Sequence, residues 1–201
     1  MIATALLFLS GSIFAQIPDQ NTPPDALIKM VVTDVMTSVK ADPEIQKGNI
    51  PKVMELVEKK IVPFTDMRRT TEMAMGPNWK RATPEQQAIL TSEFKTLLMR
   101  TYSGALSQLR DQTVQFKALR AAPDDKEVVV KTVVIGRGDP IPLDYRLEKG
   151  ANGWKVYDMN IMGAWLVEAY RNQFANQIGQ NGIDGLVKFL QDRNKQLAAT
   201  K

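Results

Sequence analysis

Hydrophobic positions keep a helical period through the first half of the chain, alternate between about 114 and 161, and return to the helical period at the end. From Asp25, residues Leu27, Met30, Val31, Val35 and Val39 recur at helical spacing until Asp42-Pro43 interrupts them, which predicts an amphipathic helix. A second helix follows Asn49, with Pro51 in its first turn, Val53, Leu56, Val57 and Ile61 on one face, and Pro63 as its stop. A third, shorter one is expected from Thr65 to Ala74, ending at Gly76-Pro77, with Met67, Met73 and Met75 facing the core. Thr83-Pro84-Glu85-Gln86 has capping-box spacing with Pro at the first helical position. Behind it, Leu90, Phe94, Leu97, Leu98, Thr101, Tyr102, Ala105 and Leu109 form a stripe along a long helix, the ordinary signature of a core face.

After Asp111 the period becomes two. Val114 and Phe116, extending toward Ala118, suggest a first strand. Glu127 to Ile135 gives a second, with Val128, Val130, Thr132 and Val134 on one face. Gly136-Arg137-Gly138-Asp139 turns the chain, and Ile141 to Glu148 alternates Ile141, Leu143, Tyr145 and Leu147 against Asp144, Arg146 and Glu148. A hairpin loop over Lys149 to Gly153 leads to a last strand from Trp154 to Ile161. Such short connections make the sheet antiparallel, with one buried face. Two helices finish the chain, about Gly163 to Gln180 and Ile183 to Leu197, parted at Gln180-Asn181-Gly182.

Helices, a meander, then helices predict an α+β domain: a curved antiparallel sheet covered by helices. This is the cone-like arrangement of the nuclear-transport-factor-like superfold, with extra helices. That fold serves enzymes and binders alike. The single domain is expected to span 25–201, behind a polar, Pro-rich linker over 16–24. Residues 1–15, MIATALLFLSGSIFA, are apolar, too short to span a bilayer comfortably, and end in a small residue. They are read as a signal peptide lacking its basic leader.

Composition narrows the chemistry. With no Cys and no His, the chain has no thiol nucleophile, no Ser–His relay and little means of holding zinc or copper. The 26 Lys and Arg are scattered among 22 acidic residues, so the net charge of +4 reads as a mixed solvated surface rather than a nucleic-acid footprint. A mild basic excess still suits transient proximity to an anionic membrane. The carboxylates worth weighing are Asp66, Asp144 and Asp158, and the phenols Tyr102, Tyr145, Tyr157 and Tyr170. An isomerase could pair an Asp base with a Tyr donor. Asp144, however, falls on a polar strand face and Asp66 where a helical N-terminal acid belongs, while Asp158 suits a structural hydrogen-bonding role. The apolar sheet face and ten Met residues could line an adaptable cavity, but taken alone they read as core packing.

Several ordered segments decide between the two. They are Phe64-Thr65-Asp66-Met67, Ala74-Met75-Gly76-Pro77-Asn78-Trp79, Thr83-Pro84-Glu85-Gln86-Gln87 and Leu97 to Tyr102. Asp144-Tyr145-Arg146, Trp154-Lys155-Val156-Tyr157-Asp158, Gly163, Tyr170-Arg171-Asn172-Gln173-Phe174, Gly182 and Leu186 to Leu190 continue the series. Together they resemble the MlaC family, periplasmic phospholipid-binding proteins also called toluene-tolerance proteins. The sequence departs from the family pattern at Met162 and Trp165, where an acidic residue before Gly163 and a Ser after it are usual. The resemblance implies a periplasmic carrier with an internal apolar cavity, phospholipid as cargo, and no cofactor, metal or catalytic residue. It also implies as partners an outer-membrane lipoprotein complex and an inner-membrane ABC transporter complex, between which lipid is shuttled to keep the outer membrane asymmetric. The acyl chains are then expected between the apolar sheet face and the long helix. Val130, Thr132, Tyr145, Leu147, Trp154 and Val156 would line them from the sheet, and Met67, Leu98 and Tyr102 from the helices. A cone-fold isomerase and a periplasmic chaperone or adaptor are the other classes compatible with the sequence.

Overall fold

The computed structural model describes residues 21–199, so the expected signal peptide lies outside the described residues. Among the described residues, six α-helices pack with a five-stranded antiparallel meander in the order β1-β2-β3-β4-β5. Helix α1 (Pro24–Ala41) ends where the sequence predicts, because Asp42 turns away and caps the short α2 (Pro43–Gln46) by accepting from Glu44 N–H at 2.9 Å. Asn49 caps α3 (Ile50–Lys60) in the same way. Helix α4 (Met67–Met75) starts later than expected: Asp66 is its cap, accepting from Arg69 N–H at 2.8 Å. Of its three methionines Met75 is buried, while Met67 and Met73 are half-buried. The capping box at Thr83 and Gln86 forms, opening α5 (Pro84–Ser107).

Strands β2 (Glu127–Ile135), β3 (Ile141–Gly150) and β4 (Gly153–Ile161) fall within two residues of their predicted spans, and β1 (Thr113–Phe116) stops short of Ala118. A bulge at Arg146/Leu147 lets Val156, Tyr157 and Asp158 all be buried in succession, which strict alternation would forbid. A two-residue strand, β5 (Ala164–Trp165), joins β4 to α6 (Leu166–Ala199). Helix α6 is broken at Gly182, where φ is 69° and ψ −173°, a conformation open almost only to glycine. The expected pair of C-terminal helices is thus present as the two arms of α6, parted at Gly182.

Three apolar cores result. One fills the space between α5 and α6, where Phe94 meets Tyr170 and Phe174 edge-on with ring centroids 4.9 Å apart. A second lies between α1 and the sheet, and a third among α1, α2, α3 and α5. Helix α1 serves two of them: Leu27 and Ile28 face the sheet, Val35 and Val39 the helices.

Candidate functional site

The apolar floor comes from the period-two pattern. The register sets Val128 opposite Leu147, Val130 opposite Tyr145 and Thr132 opposite Leu143, and Leu147 in turn opposite Val156. These side chains share the face that α1 covers with Leu27, Ile28, Val31 and Val32, together with Phe64 and half-buried Trp154 and Met159. Two polar groups sit in it. Thr132 donates its hydroxyl to the Leu143 carbonyl at 2.6 Å. Burial pushes the Tyr145 phenol up to about 12, an effect the adjacent Thr132 hydroxyl partly offsets and the Asp144 charge slightly reinforces. The floor is therefore uncharged at physiological pH.

How the floor is held differs from one side to the other. Helix α4 is tied to β4 by directional bonds: Asp66 N–H to the Val156 carbonyl at 2.7 Å, and the Thr70 hydroxyl to the Tyr157 carbonyl at 2.7 Å. Among the described residues, no hydrogen bond or ion pair ties α1 to any strand; its apolar side chains alone hold it there. Apolar contacts are non-directional, so other hydrocarbon can replace them at little cost.

Of the nine expected acyl-chain residues, the structure gathers Val130, Thr132, Tyr145, Leu147, Trp154 and Val156 on this one face. Met67 opens α4 directly after the Asp66–Val156 bond. Leu98 and Tyr102 stand elsewhere. Leu98 packs on the α5–α6 core, and burial raises the phenol of half-buried Tyr170, with nearby Tyr102 adding a smaller push. Helix α5 reaches the α1 side with Met99 and Leu106, because a 24-residue helix between two cores presents a different face to each. Helix α1 was missed as the cover of the floor, although Ile28 and Val32, four residues apart beside the stripe at Leu27 and Val31, carried the signal.

Asp158 is a structural hub. Its Oδ1 accepts from the N–H groups of Met159 at 2.9 Å and Val167 at 3.0 Å, and its Oδ2 meets the Arg146 guanidinium at 3.1 Å. Burial raises its carboxyl above the usual range despite those three partners. Both oxygens are engaged, and Oδ1 is filled by its two backbone N–H groups, as suits a structural role. Arg146 in turn stacks 3.7 Å above the ring of Trp165, which accounts for an aromatic side chain at that position. Met162, the other departure, sits at the tip of the β4–β5 turn with φ 54° and 73% of its surface exposed. Among the described residues, no group of three or more carboxylates is placed to hold a metal ion.

The family model described as MlaC protein matches residues 29–192, from α1 to the last turns of α6. The chain belongs to the MlaC family. The phospholipid-binding protein from Ralstonia solanacearum, solved in complex with a phospholipid, is 54% identical; the match covers 87% of this chain and 98% of that one, with a TM-score of 0.84. The toluene tolerance protein ttg2D of Pseudomonas putida is 27% identical over 165 residues, 82% of this chain and 76% of that protein. The intermembrane phospholipid transport system binding protein MlaC of Haemophilus influenzae is 22% identical over 180 residues, 88% and 84% of the two chains. The curved sheet under helices is thus the fold of a phospholipid-binding protein solved with a phospholipid bound.

Proposed function

We propose that this protein is a periplasmic phospholipid carrier that houses acyl chains on the inner face of the sheet and performs no covalent chemistry. The observation that carries the reading is the 54% identity, across 87% of the chain, to a protein solved with a phospholipid. The uncharged floor and its weakly tethered cover give that cargo a physical place. Two acyl chains expose on the order of 30 methylenes, each worth about 0.8 kcal/mol when buried, so crossing water unshielded would cost roughly 20 kcal/mol. A floor built from Val130, Leu147, Trp154 and Val156, with Met67 at its border, offsets most of that penalty once α1 moves aside. Thr132 gives its proton to the Leu143 carbonyl and its oxygen is left to accept from the Tyr145 phenol. Leu98 and Tyr102 take the role of backing the α5–α6 core rather than touching the chains.

Exchange is then nearly balanced, and small differences in affinity at each membrane set its direction. The name of the Haemophilus relative, an intermembrane phospholipid transport system binding protein, supports passage between two membranes; the partners proposed are an outer-membrane lipoprotein complex and an inner-membrane ABC transporter complex, reached through the periplasm. Such traffic would maintain outer-membrane lipid asymmetry. Native mass spectrometry of the purified protein tests the cargo directly: masses displaced by one diacyl phospholipid are expected. Lipid-free protein that also fails to take up lipid from vesicles would overturn the reading.

A further inference from the structure

Across the sheet from α1 lies a concavity of about 720 Å³, walled by Lys117 and Arg120 of the segment after β1 and floored by Val129, Lys131, Arg146 and Tyr157. Its charge is one-sided. Glu127, the carboxylate in its lining, pairs with Arg69 at 3.5 Å, and Arg146 is neutralised by Asp158. Lys117, Arg120 and Lys131 are exposed and pair with no carboxylate among the described residues, although Asp144 stands opposite Lys131 in the β2–β3 register. With Asp144 facing Lys131 alone, the three cations still outnumber that carboxylate and repel each other, and a bound anion relieves the repulsion. Beside them Val129 is 37% exposed, so apolar surface adjoins the charges. Flexible lysine stems next to apolar groups suit a phosphate attached to an organic group better than a bare ion.

We propose that this outer-face concavity binds a phosphate-bearing group, as displayed by the headgroup of an anionic phospholipid in a membrane surface. The volume leaves room for glycerol as well as phosphate. The site is separate from the acyl-chain floor, which lies on the other side of the sheet, and its occupancy does not depend on cargo. Each cation near an anionic surface strengthens binding several-fold, so three together are worth on the order of 100-fold at low salt.

The test uses the full chain and two triple variants of equal net charge. One carries Lys117→Gln, Arg120→Gln and Lys131→Gln; the other carries Lys40→Gln, Lys80→Gln and Lys195→Gln, all exposed and away from the concavity. Cosedimentation is measured with vesicles of phosphatidylglycerol and phosphatidylcholine in equal parts, and with phosphatidylcholine alone. Wild type is expected to prefer the anionic vesicles, the first variant to bind them at least about tenfold more weakly, and the second to stay near wild type. Equal weakening in both variants, or no preference by wild type, would overturn the proposal. So would wild-type binding to polyglutamate but not to vesicles, since that would assign the groove to an acidic protein. Titration with glycerol 3-phosphate, read from the backbone amide shifts of Lys117 and Lys131, separates the two sources. Saturable shifts lost in the first variant support a soluble phosphate ester, and vesicle binding without them supports a membrane headgroup. Bound lipid in the first variant, read by native mass spectrometry, is expected to match wild type. Its loss would merge the groove with the acyl site and overturn a separate anion site.

Discussion

Replacing Asp158 separates two jobs that its carboxylate combines. Oδ1 accepts both backbone N–H groups, from Met159 and from Val167 at the start of α6, while Oδ2 serves only Arg146. Asp158→Ala removes everything. Two buried N–H groups left without an acceptor cost about 1–2 kcal/mol each. The Arg146 side chain is 37% exposed and keeps its stack on Trp165, so losing its ion pair adds only about 1 kcal/mol. The alanine variant should therefore lose about 3–5 kcal/mol. Asp158→Asn keeps a carbonyl oxygen at the Oδ1 position and with it both N–H bonds. Because burial already disfavours the charge, neutralising it should cost only about 0–1 kcal/mol. Urea unfolding followed by circular dichroism reads both values. The folded carboxyl titrates above its unfolded value of about 3.9. Relative to the asparagine variant, wild type should therefore gain stability as pH falls from neutral through the folded value, with the gain complete below the unfolded one. Native mass spectra should show the asparagine variant still loaded with lipid. Asparagine as damaging as alanine would refute the division of labour between the two oxygens, and lipid loss in a stably folded asparagine variant would refute a purely structural Asp158.

Leu147, fully buried at the centre of the floor, should cost about 2–5 kcal/mol on replacement by alanine, measured by the same unfolding experiment. The Tyr145 phenol, held near 12, contributes stability that is intact below about pH 10 and lost as pH rises through its folded value. Alkaline titration at the tyrosinate absorbance should show a late-ionising phenol that disappears in Tyr145→Phe. Gly182→Ala forces a side chain into the break of α6 and should lose about 1–3 kcal/mol, seen as a lower melting temperature. Met162→Gly relieves the positive φ at the β4–β5 turn and should gain about 0.5 kcal/mol after the entropy of glycine is counted, measurable by calorimetry.

Local physics is what the sequence displays most clearly. Caps at Asn49 and Thr83, the alternation in β2 and β3, and the break at Gly182 all depend on neighbours within a few residues, and the structure has them in those places. What depends on three dimensions was harder to read. The stripe on α5 names residues that are apolar at helical spacing, but not which of two cores each will face; Leu98 and Met99 are adjacent and go to different ones. Asp66 could be read as a helical acid, yet its backbone bond to Val156 arises only when a segment 90 residues away is in place. The bulge at Arg146/Leu147 leaves no mark in the alternation of β3, and it decides that Asp158 is buried.

The meander is inserted, in chain order, between the two long helices that pack on each other. Every strand pair joins sequence neighbours, whereas Asn194 reaches Glu93 and Arg100 reaches the Asn194 carbonyl across the whole sheet. Closing that loop costs chain entropy that is smaller once β1 to β5 have already shortened the path between Ser107 and Leu166. The natural assembly order is therefore sheet first and helical lobe last, with the second arm of α6 as the final piece to dock.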